Sequence, residues 1–205
     1  MNPNTFPTKG NLIIAKNSLK LARQGFDLMD KKRNILIREI MELIDEATLI
    51  QSEIDITFRA AYQALQKANI EMGIRNVSEL SKTVPIEESF SIKTRSVMGT
   101  EIPLVEFSSH IDTPSYSFYN TTLSLDEACN NFNKVKRLTL RLSMIENSAY
   151  RLATNIKKTQ KRANALQNIT IPFYSDLSSD IQNALEEKER EEFTRLKVIK
   201  RMQSK

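Results

Sequence analysis

Chemistry needs particular side chains brought together, and this sequence offers few of them. His110 is the one histidine and Cys129 the one cysteine. A lone imidazole in a polar stretch cannot build a His-based metal cluster or a nucleophile–His–acid triad. Cys129, between Ala128 and Asn130, reads as a structural residue near the start of an apolar repeat, and a single cysteine excludes an internal disulfide. The glycines Gly10, Gly25, Gly73 and Gly99 are isolated from one another, so no G-x-x-x-x-G-K-[ST] loop can cradle a phosphate. Glu186, Glu187, Glu189, Glu191 and Glu192 alternate with Lys188 and Arg190, as on a solvated helix face and not as a buried carboxylate pair. The expectation is a chain with no catalytic residues, no metal and no cofactor, which is not an enzyme by itself.

With chemistry set aside, the question becomes what the elements position. The 205 residues are 40 % hydrophobic and 27 % charged, with no Trp and six Pro, a composition suited to long helices. The start, "MNPNTFPTKGNLIIAK", lacks the basic and apolar regions of a secretory signal. No apolar run approaches the roughly 18 residues of a membrane span. A soluble, cytoplasmic protein is expected. The net charge of +5 permits acidic partners without selecting one.

No proline interrupts the chain between Pro7 and Pro85, and neither proline nor glycine between Pro114 and Pro172. In the first span an alternating three-four spacing runs through Leu12, Ala15, Leu19, Ala22, Phe26, Met29, Arg33, Leu36, Ile40, Leu43, Ala47, Ile50, Ile54, Thr57, Ala61, Ala64 and Ala68. Only Arg33 and Thr57 are not apolar. A straight helix drifts about 20° per heptad against a strict seven-residue repeat, so a pattern held this long predicts a supercoiling seam. The second span repeats it through Val135, Leu138, Leu142, Ile145, Ala149, Leu152, Ile156, Thr159, Ala163, Leu166, Thr170, Phe173 and Leu177. After Leu177 the register slips by about one residue, to Ile181, Leu185, Phe193 and Leu196. Ser124 and Glu127 have capping-box spacing ahead of this run, and Gly73 suits a C-cap for the first helix. Pro172 must kink the second helix or break it in two; the prompt return of the apolar pattern favours a kink.

The spacing therefore predicts an all-α fold: a long antiparallel two-helix coiled coil with a small central β-hairpin between the helices. Residues 1–73 form the first helix, 74–123 a linker holding the hairpin at about 89–107, and 124–205 the second helix, kinked near Pro172. A helix over 11–72 would run roughly 90 Å at 1.5 Å per residue. Charge suggests the pairing. Residues 36–68 are acidic and 131–167 basic, which favours setting Ala68 opposite Phe132 and both termini at one end. In the middle, "SFSIKTRSV" and "TEIPLVEF" alternate as strands around Met98-Gly99, with Pro103 at an edge position. Such a hairpin must pack on something to be stable.

Four stretches, in order, carry a resemblance. "PTKGNLIIAKNSLKLARQGFDLMDKKRNIL" (7–36), "TRSVMGTEIP" (94–103), "KKTQKRANALQNITIP" (157–172) and "EEKEREEFTRLKVIK" (186–200) resemble the D subunit of the V-type and archaeal/bacterial A-type rotary ATPases, or ATP synthases. The resemblance implies a non-catalytic central rotor shaft that couples ATP synthesis or hydrolysis to ion transport. It implies A and B subunits of a catalytic ring around the shaft, a small F subunit on it, a C/d subunit at its base, and contact with the membrane only indirectly through the ion-translocating ring. It further implies that the hairpin, with Thr94, Val97, Met98, Gly99, Glu101, Ile102 and Pro103, influences ATPase activity. The shaft tip inside the ring would carry Lys16, Lys20, Arg23, Lys197, Lys200 and Arg201. The complex would hold the chain peripheral to the membrane, on its cytoplasmic side.

Three other readings compete. The coiled-coil stalk of a bacterial export ATPase would not be expected to carry "VMGTEIP". A generic coiled-coil scaffold explains the seam but not four ordered motifs. A nucleic-acid binder would interleave aromatic residues among the bases of 131–167, and none are there, so no nucleic acid is expected.

Overall fold

A computed structural model of the chain describes residues 6–84, 90–107, 116–119 and 121–203. Helix α1 (Lys9–Met72) is followed by a short helix α2 (Ile74–Ser81), strands β1 (Phe90–Val97) and β2 (Thr100–Phe107), helix α3 (Leu123–Ala165), a π-helical turn (Leu166–Thr170) and helix α4 (Ile171–Gln203). The fold is all-α with one antiparallel hairpin between the helices. His110 lies outside the described residues.

The 64 residues of α1 begin where Thr8 Oγ1 accepts the Asn11 N–H at 3.2 Å, a side-chain cap. They end at Gly73, whose φ of 83° is a conformation that side chains resist. All seventeen expected seam positions of α1 are buried or half-buried. The two polar ones are satisfied differently. The Thr57 hydroxyl donates back to the Glu53 carbonyl at 2.8 Å, whereas Arg33 donates across to Gln160 Oε1 at 2.8 Å while pairing with Asp30.

The chain divides into two compact units, Leu36–Asn155 and Met1–Ile35 with Ile156–Lys205. In the first, Ile50, Ile54 and Ile145 form one core cluster, with Leu43, Ala47, Leu138 and Leu142 packed on it. Ala68, Val77 and Leu125 form another. Here α2 appears inside what reads from sequence as linker, folding Val77 and Leu80 back over the helix pair. Two expectations change. Ala68 packs with Leu125, and the residue in ring contact with Phe132 is Tyr62 (centroids 5.5 Å apart), so the pairing is shifted by about six residues from the one that charge suggests. Exposed ion pairs are worth only about 0–1 kcal/mol each and cannot outvote the apolar layers. The capping box does not form either. The helix α3 starts at Leu123, and Ser124 Oγ donates to Glu71 Oε2 of α1 at 2.9 Å.

In the second unit Ala15, Ala22, Thr159, Ala163 and Ile181 are buried. The slip in apolar register falls at the π-helical turn, ahead of the position that the sequence pattern suggests. Ile171 N–H bonds to Leu166 O, five residues back, and the extra residue in that turn rotates all of α4 about the helix axis. Phe173 is consequently 46 % exposed and Tyr174 takes its half-buried place. The wider turn also lies directly ahead of Pro172, whose ring would crowd the preceding carbonyls of a regular α-helix. The chain stays helical through it. Phe193 and Leu196 are exposed at 69 % and 65 %, because α1 has no residue left to cover them: Lys9, its first, already pairs with Glu189 at 3.1 Å.

Candidate interaction surfaces

The hairpin is registered Val97 to Thr100 through Phe90 to Phe107, with Met98-Gly99 as a two-residue turn. Both turn residues have positive φ, 49° and 76°, the geometry whose twist matches a hairpin. Sequence marks Gly99 for this, but not Met98, which lacks the usual Asn or Gly. Val97, Thr100 and Ile102 are buried. Polar contacts to α3 hold the rest: Asn155 Nδ2 donates to Thr100 Oγ1, Arg151 Nη1 donates to the Glu101 carbonyl at 3.2 Å, and Val105 N–H points to Met144 Sδ at 3.2 Å. Arg151 and Asn155 carry no sequence signal for this task, since any exposed polar residue of α3 looks alike.

The hairpin residues expected to meet partners thus separate. Val97 and Ile102 face inward, Pro103 is half-buried, and Thr94, Met98 and Glu101 are exposed. Ile92 (65 % exposed) lies on the same strand face as Thr94, as alternation from the buried Val97 requires, whereas Leu104 (38 %) has the parity of the buried Thr100 and Ile102 and is exposed all the same. Lys93 pairs with Glu106 at 2.6 Å on the other face, the one that carries Ile102, at the end away from the turn.

The six basic residues expected at a shaft tip do not form one cluster. Lys16 donates to Gln182 Oε1 at 3.2 Å, so Lys16, Lys20 and Arg23 lie along the paired part of α1. Lys197, Lys200 and Arg201 lie 15 or more residues beyond Gln182, about 22 Å further at 1.5 Å per residue, where every residue of α4 is exposed.

Cys129 is half-buried beside Tyr116, whose hydroxyl donates to Asp126 Oδ1 at 2.6 Å. Burial first, then the hydrogen bond to Asp126 and the proximity of Cys129, push the Tyr116 hydroxyl far above its ordinary range. The group is a stay between the linker and α3. Among the described residues no three His, Cys, Asp or Glu side chains gather as a metal set, and no helix is long and apolar enough to cross a membrane.

Residues 11–201 match the sequence model of the family described as the D subunit of ATP synthase. The V-type ATP synthase D subunit of Thermotoga neapolitana is 44 % identical over 194 residues, covering 95 % of this chain and 96 % of the relative. The A-type ATP synthase D subunit of Pyrococcus abyssi is 36 % identical over 197 residues (95 % and 92 %), and that of Methanobrevibacter smithii 36 % over 198 (95 % and 85 %). Matches of this extent leave no element of the fold outside the comparison, and the chain belongs to the ATP synthase D-subunit family.

Proposed function

We propose that the chain is the non-catalytic central shaft of a V/A-type rotary ATPase, coupling ATP synthesis or hydrolysis in a ring of A and B subunits to ion transport. The observation that carries this is α1, one helix of 64 residues seamed by apolar side chains throughout, in a chain whose relatives are named as the D subunit of V-type and A-type ATP synthases. The exposed end of α4 with Lys197, Lys200 and Arg201 is the segment that enters the ring, with Lys16, Lys20 and Arg23 behind it. A small F subunit binds the shaft and a C/d subunit receives its base, keeping the chain cytoplasmic and peripheral to the membrane. The hairpin's outward residues Thr94, Met98, Glu101 and Pro103 contact a partner that tunes ATPase activity.

Such a shaft needs no reactive group. It acts by meeting each catalytic interface with a different face, and differential affinity is the only means by which a partner shifts a conformational equilibrium. Moving a site from almost wholly open to almost wholly closed takes about 5.5 kcal/mol. Exposed contacts supply at most about 1 kcal/mol each, so several must change together at every step.

The test is reconstitution. The full chain, labelled at the hairpin, is added to a ring assembled from A and B subunits. One chain bound per ring, turning under ATP, is the expected result. Failure to bind in fixed proportion would sink the reading.

A further inference from the structure

The bases of α3 are not all neutralised by α1. Arg141 pairs with Glu46, as opposite charge on facing helices would have it. At the level fixed by the Arg33–Gln160 hydrogen bond the match fails. There α3 carries Lys157, Lys158, Lys161 and Arg162, and the neighbouring residues of α1 are Lys31 and Lys32. Asp30, the acid beside them, is taken by Arg33. Among the described residues none of the six has an ion pair, and α3 and α4 hold no acid between Glu146 and Asp176.

At 100° per residue, the four α3 cations span a 140° sector opposite the buried Thr159 and Ala163. Lys31 likewise points away from the seam residues Met29 and Arg33. Cations thus stand on both outer faces of the helix pair at one level. Like charges at i,i+4, here Lys157 with Lys161 and Lys158 with Arg162, weaken the helix that carries them. No aromatic residue occurs in 151–172 or 27–57 to stack on bases, which disfavours a nucleic acid.

We propose that Lys31, Lys32, Lys157, Lys158, Lys161 and Arg162 form a cationic girdle met by carboxylate-rich surface of the protein ring that surrounds the shaft. This rests on the shaft reading above. A small anion could touch one face only; an encircling partner reaches both. Charge contacts at exposed sites are long-ranged and indifferent to exact side-chain fit, so a turning girdle can pass from one acidic patch to the next without unpacking a core.

The test compares three full-length chains on the assembled ring: wild type, the sextuple variant K31Q/K32Q/K157Q/K158Q/K161Q/R162Q, and a control with R59Q/K67Q/K134Q. Helicity is checked by circular dichroism, with K157Q/K158Q/K161Q in reserve if the sextuple variant unfolds. Dissociation constants are read across a salt series. The girdle predicts binding weakened by about tenfold or more in the variant at low salt, a shallower salt dependence, and a near-wild-type control. Equal affinity and salt slope in variant and wild type overturn the girdle and leave the shaft standing. Girdle-dependent binding to duplex DNA, with ring binding unchanged, also overturns it. A wild-type chain that does not bind the ring overturns both.

Discussion

Met98 holds a left-handed backbone conformation that costs an ordinary side chain about 1–2 kcal/mol. Asn tolerates it far better, so Met98→Asn should stabilise the hairpin by about 0.5–1 kcal/mol, read as slower amide exchange across residues 90–107. If the hairpin meets a partner through Met98, the same change weakens that contact, and the two effects separate cleanly. Tyr116 makes the second prediction at this scale. Its hydroxyl is held protonated in the fold, by burial first and by Asp126 second, whereas in the unfolded chain it ionises at about pH 10. The stability it contributes is therefore full below about pH 10 and drains away as pH rises further. Tyr116→Phe should cost about 1–2 kcal/mol at pH 8 and lose less, relative to wild type, in urea unfolding at about pH 10.5.

Among elements, α1 is the one best written in the sequence, because a three-four repeat over its length admits no other period. The second long helix was legible to Leu166 and then misphased. A π-helical turn has no composition of its own, and the pattern signals only that a residue has been added somewhere nearby. The short helix α2 was missed because eight residues hold too few repeats to count. Charge misplaces the helix pairing because Ala68, Val77 and Leu125 decide it by packing. Gly25 offers a check on the packing at the turn. A Cβ there would meet only Leu166 Cδ1, at 3.6 Å, an ordinary contact. Since Gly inside a helix costs about 0.5–1 kcal/mol relative to Ala, Gly25→Ala should raise stability by about that amount in thermal unfolding.

For the whole molecule, residues separate by what they serve. Those that hold the chain together were largely visible as apolar periodicity. Those proposed to meet partners are legible only through resemblance, since an exposed Lys looks the same whether it greets water or another protein. Removing residues 197–205 tests the division. The described part of that segment is exposed throughout, so the truncated chain should unfold within about 0.5 kcal/mol of the full one. Its ATP-driven rotation in the reconstituted ring should slip. A truncated chain that rotates as well as wild type would remove the end of α4 from the mechanism.

The π-helical turn also means that the chain is one residue longer than its seam requires. Between Leu166 and Thr170 a deletion would close the surplus and leave Tyr174, Ser178 and Ile181 on the side they already occupy. Anywhere else in α3, the same deletion would turn every later apolar residue out by about 100°. Loss of Gln167 tightens the turn ahead of Pro172 but keeps the later register, so it should lower a thermal melt less than loss of Lys158 does. Relatives are expected to tolerate length variation here, in a helix that elsewhere forbids it.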